Sequence, residues 1–469
     1  MKFEFNYIKL LFLISLIPAI SFAAPRGAPI ELIYADSLVG SQDLSGKERV
    51  FAGNVQFRQG IVNVKCDIAK QFLSENRVEL QGNVVITQNA LTLKAPRVNY
   101  NGNTYVADAQ GGVTITENET YLRADKGFYS TKTRVADFLG NVFIEDDSAR
   151  IYSRAISHNR NNRESFATGR VRIEGKYTNV ILTGDTVRNY PARNYSLATG
   201  DPQLLQIDTV KAPKPTLDTS AFTFQKDLQL QRNRNKSLDS LPIAATDTAP
   251  KIQFDTLSII SRIMEGYRAR GEEKYIFTDS VEIIRGAIAA KSDSAQYYKD
   301  EERFFLRGTP VVWYDSTQLY ADSIEILTPQ RKVRKLSALG NSFAASRNDS
   351  TNAAAVDQIS GRQIILDFDR DKISKIFSEG DAKSLYFVRV DSAGSGISRS
   401  SGDTIIIEMD TTQKPLYIYW IKQIPGEYYP YYLVAGKEET FYLPGFKWTA
   451  TRPRKPVSEL PRKGAPLSR

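Results

Sequence analysis

The sequence predicts an all-β fold of two facing sheets, built from stacked units that cannot bury their apolar faces alone. Three observations carry that prediction. A short pattern returns five times at a constant step of 29 residues: Gly53-Asn54-Val55-Gln56-Phe57, Gly82-Asn83-Val84-Val85-Ile86, Gly111-Gly112-Val113-Thr114-Ile115, Gly140-Asn141-Val142-Phe143-Ile144 and Gly169-Arg170-Val171-Arg172-Ile173. A fixed period of this size marks stacked supersecondary units. Within each copy Val holds the third place and Phe or Ile the fifth, while the places between are mostly polar. Residues i and i+2 share one face of a strand, so one face is buried and the other wet. A second column of small residues, Cys66, Ala95, Ala124 and Ser153, follows at the same step, extended by Ala35 and Gly184 at a step of 31. Near each small residue stands an aromatic or its substitute: Phe72, Tyr100, Tyr129, His158 and Tyr190. Each unit is then two strands and two turns, which builds two facing sheets, whereas a parallel β-helix uses three strands per coil.

Taken in order, residues 1–23 read as a secretory signal. Lys2 and Lys9 lead, Leu10 to Ile20 is the apolar run, and Ser21-Phe22-Ala23 supplies the cleavage site. No Cys follows, so lipid attachment is not indicated, and the run is short for a membrane span. The expected compartment is the periplasm, with possible association with the outer membrane. Residues 28–208 form the first stack, and leading Gly residues mark bulges or bends in its strands. Ala198-Thr199-Gly200-Asp201-Pro202 reads as its last rung, because Pro202 denies the ladder a donor. Residues 209–251 read as a Pro-rich polar linker. Residues 252–412 repeat the pattern more loosely: Val281 and Pro310 follow corners 29 apart, then Gly340-Asn341 at a step of 32 and Gly380-Asp381 at 40. Residues 413–469 continue with strand patterns and end, after Tyr442, in a basic Pro-rich tail expected to be mobile.

Little in the chain suggests catalysis. His158, the single histidine, falls in the aromatic column, and Cys66, the single cysteine, falls in the small column, so both read as structural. One Cys and one His exclude a structural zinc site. Asp67, Asp125 and Asp185 recur beside the small column and read as solvated or capping groups, not as a glycosidase pair. No phosphate-binding Gly loop precedes a helix. No catalytic residue, metal or cofactor is expected. The net charge of +9 and pI near 9.2 favour anionic groups at a membrane surface over nucleic acid. Basic residues cluster only at Arg452, Arg454, Lys455, Arg462 and Lys463.

The recurrent Gly-Asn-Val motifs, with Ala35-Asp36-Ser37 and Ala124-Asp125-Lys126 and an N-terminal signal, resemble the OstA-like (LptA-like) family of periplasmic lipopolysaccharide-transport proteins. The resemblance covers about Glu31 to Asp208 well and Asp255 to Val388 less well. It implies an open β-jellyroll, a V-shaped trough of two stacked antiparallel sheets, here in two tandem copies. It also implies a non-enzymatic bridge protein that holds lipopolysaccharide acyl chains. Its partners would be other jellyroll proteins of the bridge, joined by edge-strand pairing, and an outer-membrane barrel partner. The trough-lining residues would be Val55, Phe57, Val84, Ile86, Val113, Ile115, Val142, Ile144, Val171 and Ile173. The chain departs from the family in being about twice as long as the simple bridge protein and in lacking barrel strands. Physics supports such a trough: exposing a chain of about a dozen carbons to water costs on the order of 10 kcal/mol. The alternatives are an exported β-solenoid enzyme acting on polysaccharide and a structural or adhesive repeat protein with a filled core.

Overall fold

The computed structural model describes residues 31–40, 48–59, 61–130, 132–210, 253–269, 272–347, 352–388, 395–422 and 425–454. The expected signal, most of the linker, and Lys455, Arg462 and Lys463 lie outside them. The described residues within 1–206 and 257–469 make one compact unit, and those within 207–256 another.

The larger unit is an antiparallel sheet in which each strand from Glu48–Gln59 to Val180–Tyr190 pairs with the next. Two strands per 29-residue unit are seen as expected, for example Arg77–Gln88 and Leu91–Asn101, then Val106–Glu117 and Thr120–Ser130. Turns such as Asn101 to Tyr105 link them, and the Asn101 side chain accepts hydrogen bonds from the backbone N–H groups of Asn103 and Thr104.

Every long strand is interrupted in the middle. The pairing register slips at each Gly-led motif, between Gln81 and Val84, Gln110 and Val113, and Thr168 and Val171. The extra residue is a β-bulge, which bends the strand and strengthens its twist. The bulges line up from strand to strand, so the sheet is folded lengthwise into two layers. One layer carries the strand halves before the motif, and the other carries the Val and Ile rows after it. In the second half the bend divides single strands in two: Arg303–Arg307 pairs with Ser323–Leu327 in one layer, and Val311–Tyr314 pairs with Thr317–Tyr320 in the other. The fold is an all-β open jellyroll.

The sheet does not stop at Pro202. Tyr195–Thr199 pairs with Ile263–Ala269, from Tyr195 opposite Tyr267 to Thr199 opposite Ile263, and Gln203–Val210 still pairs with Val180–Tyr190. Pro202 lies at the fold line, where the ladder is already broken and a missing donor costs nothing. The segment expected as a last rung is therefore an interior rung. A single apolar cluster runs through both halves, from Phe51 to Ile405.

The stretch after Tyr442 is also not a free tail within the described residues. Residues 431–454 turn back across the outer face of the second half. Short helix Tyr431–Val434 leads into a segment whose Leu443, Phe446 and Trp448 meet Phe343, Leu385, Phe387 and Ile397 in a second apolar cluster. Gln318 bonds both backbone groups of Thr449, Gln358 accepts from Leu443 N–H, and Arg452 donates to the carbonyls of Asp315 and Ala287. Proline and basic residues suggested solvent, but alternate aromatic and apolar side chains give the segment a face to bury.

Candidate functional site: the interior between the layers

The fold line explains the repeated Asp that the sequence left as a capping group. Gly82 has φ of +73° and Asn83 follows at +42°, two left-handed residues in succession. A β-carbon on Gly82 would lie 2.3 Å from Asp67 Oδ2, so only glycine fits beneath that carboxylate. Asn83 Nδ2 then donates to the same oxygen at 2.9 Å. The device recurs as Asn54 on Asp36, Asn141 on Asp125 and Asn341 on Asp322, each at 3.0 Å. Asp185, Asp293 and Asp322 cover Gly200, Gly308 and Gly340 in the same way. These carboxylates brace corners on alternating strands.

Behind the corners lie the two rows expected to line a trough. Val55, Val84, Val113, Val142 and Val171 are at most 2% exposed, as are Ile115, Ile144 and Ile173. Ile86 is 9% exposed, and Phe57 is half-buried against the same cluster. The rows share one interior, but their surfaces are covered by neighbouring side chains and do not face an open channel. Each fully buried Val or Ile contributes roughly 1.5–3 kcal/mol.

Contacts between the layers hold this interior shut. At the N-terminal end Phe51 and Phe57, on opposite sides of one bend, meet edge to face at 5.5 Å. In the second half Tyr314 packs on Phe368 of the other layer at 5.0 Å and donates its hydroxyl to the Asp371 carbonyl. In the first half burial raises the pKa of Glu117, while the charge of Arg160 on the facing layer lowers it.

His158 and Cys66 are both interior. Cys66 fills the small column beside the fold line, and burial pushes its thiol up to about 11, which makes it a poor nucleophile. His158 is buried, hydrogen-bonded through Nδ1 to Ser165 Oγ at 2.9 Å, and burial with the nearby Arg160 lowers its pKa to about 4. The aromatic column needs correction at its two ends. Phe72 lies under Arg77 on the outer face, and Tyr190 stacks on Tyr195. The inward place beyond His158 belongs to Asn189, opposite Ser165 on one side and Ser196 on the other. Sequence reading missed this polar row. Its signal was present, since Val78, Ala107, Ala136 and Ser165 recur at 29 and the step from His158 to Asn189 is 31, the step already seen for Gly184.

Among the described residues no group of His, Cys, Asp and Glu is placed to hold a metal ion, and no helix is long and apolar enough to cross a membrane. Both ends of the meander are apolar edges. Leu32, Ile33, Tyr34, Leu38 and Val39 are exposed at the N-terminal edge, and Tyr417, Tyr419, Ile421 and Tyr428 at the C-terminal edge.

Residues 28–125, which contain the first three copies of the repeat, match the model of a family described as OstA-like protein. Among solved structures the chain is similar to LptH of Pseudomonas aeruginosa. That protein is described as the LptA homologous periplasmic component of the conserved lipopolysaccharide transport device. The two are 14% identical, over 30% of this chain and 93% of that one, with a TM-score of 0.24. Comparison with curated proteins found no match.

Proposed function

We propose that this chain, OstA-like over residues 28–125, is a periplasmic bridge protein that carries the acyl chains of lipopolysaccharide between its two layers. The observation that carries the reading is the continuity of the interior: one apolar cluster crosses both halves of the sheet without a break. A hydrocarbon tail gains from such a path wherever it lies, and non-directional contacts allow it to slide. No catalytic group is required.

Because the Val and Ile rows are covered, loading means that the layers part at the bulges and the tails replace contacts such as Phe51 on Phe57. The Asp-braced Gly-Asn corners are suited to this, since they bend the strands without a side chain wedged in the angle. The exposed edges Glu31–Tyr34 and Pro415–Ile421 would pair with other jellyroll proteins and with an outer-membrane barrel partner.

The covered rows favour a second reading, a structural repeat protein whose interior stays packed. Purification from an expressing double-membraned bacterium, followed by mass spectrometry of co-purified lipid, separates the two. Bound lipopolysaccharide supports the bridge, and lipid-free protein supports the packed repeat.

A further inference from the structure

Across the junction of the two halves the inner row changes character. On either side of the junction, from Val78 to Ala136 and again at Tyr275 and Tyr297, the residues of that row are aromatic or aliphatic, with Tyr129 opposite Ala136 on one side and Tyr275 opposite Tyr297 on the other. Between them four successive strands place His158, Ser165, Asn189 and Ser196, followed by Gly266 opposite Ser196. All four polar residues are at most 3% exposed.

Two hydrogen bonds join these four side chains in pairs. His158 Nδ1 meets Ser165 Oγ at 2.9 Å, and Ser196 Oγ donates to Asn189 Oδ1 at 2.8 Å. Asn189 Nδ2 is buried with no hydrogen-bond partner. A buried amide left unpaired is costly, and natural interiors rarely tolerate one without a use. One strand further on, opposite Ser196, Gly266 brings no side chain to the row.

We propose that Asn189 is a binding residue for the ester or amide carbonyl of an acylated ligand, the atom where a hydrocarbon chain joins its polar head. This rests on the lipid-carrying reading above. The group that docks is uncharged: His158, Asn189 and the two serines are all neutral near pH 7, and the charge of Arg160 near His158 already acts on Glu117. Apolar residues on the fold-line side of the band, Ile156, Ala167, Val187 and Ala198, are buried and continue the path for the chain. A carbonyl here would accept from Asn189 Nδ2 while its tail lies along them.

The test uses the full chain with two probes, methyl palmitate labelled with 13C at the carbonyl, and hexadecane, whose carbon number equals that of the palmitoyl chain. Wild-type protein should bind the ester about tenfold more tightly than the alkane, the value of one buried hydrogen bond. The infrared carbonyl band of the bound ester should lie at the lower frequency of a hydrogen-bonded group. Asn189→Leu should remove both the preference and the band shift while leaving hexadecane binding unchanged. A bound ester with an unshifted band in wild-type protein overturns the proposal, and this holds even if Asn189→Leu does not fold. A preference that persists in Asn189→Leu overturns it too, as does equal binding of the two probes, which is the result if Asn189 holds only a buried water. If neither probe binds the wild type, the lipid-carrying reading falls and takes this site with it.

Discussion

The two halves of the sheet share a corner device but are finished differently. In the first half the corners from Gly53 to Gly169 keep a step of 29, and the outer face carries charged and polar side chains such as Lys94, Arg123 and Arg172. In the second half the steps lengthen to 32 and 40, and the outer face is crossed by residues 431–454. Phe343 and Ala345 face outward there and are buried, while Ala344 between them is buried inward. A strand covered on both faces loses the alternation that keeps a repeat readable. The lesson is that the longest departures from the period, the steps of 32 and 40, fall where a foreign segment lies across the rungs.

Ending the chain after Ala435 should have the largest effect. It uncovers Phe343, Leu385, Phe387 and Ile397, a loss on the order of 5 kcal/mol or more. Hydrogen exchange should quicken in Thr317–Tyr320, Lys335–Ser346 and Lys372–Val388 and stay slow in Arg77–Gln88 and Val135–Glu145. Uniform loosening would erase the distinction between halves.

The next effect belongs to the first half alone, because it holds the single histidine. The folded pKa of His158, about 4, lies below the unfolded value, so the unfolded chain takes up the proton first. The stabilisation is complete above about pH 6.5 and is lost as pH falls toward 4. It amounts to about 3 kcal/mol relative to His158→Phe, as read by urea denaturation at several pH values. Parallel pH profiles for the two proteins would contradict the burial of a neutral imidazole.

The shared corners should respond alike in both halves. Gly140→Val and Gly340→Val each place a β-branched residue at positive φ under a carboxylate, and each should cost about 2–3 kcal/mol. Asp125→Ala and Asp322→Ala lose only exposed hydrogen bonds from Asn141 and Asn341, for about 1 kcal/mol in thermal denaturation. Opposite responses at the two sites would mean that the corners are not one device.

Much of this fold was legible because the repeat displays its own register. The Val and Ile rows, the bends at Gly53, Gly82 and Gly140, and the structural places of Cys66 and His158 all follow from the 29-residue step. What escaped has identifiable physical reasons. Pro202 looked like a terminus because sequence does not show that a bulge already breaks the ladder there. The segment after Tyr442 looked solvated because its contacts with Gln318 and Gln358 span some 85 to 131 residues of sequence. The partnering of Asp67 with Gly82 joins neighbouring strands, so the column of aspartates was visible without its purpose. Asn189 was hidden by a two-residue slip in the column that pointed to Tyr190.

The central claim is that the space between the layers takes hydrocarbon, and it is tested most directly by a small aliphatic diazirine amino acid placed at Ile115 and, separately, at Thr114 in the expressing cell. Ile115 is buried inward, and Thr114 is on the opposite face of the same strand. The account predicts a lipopolysaccharide adduct after irradiation at position 115 and none at 114. Equal labelling at both, or protein-only products at 115 in cells making lipopolysaccharide, would contradict it.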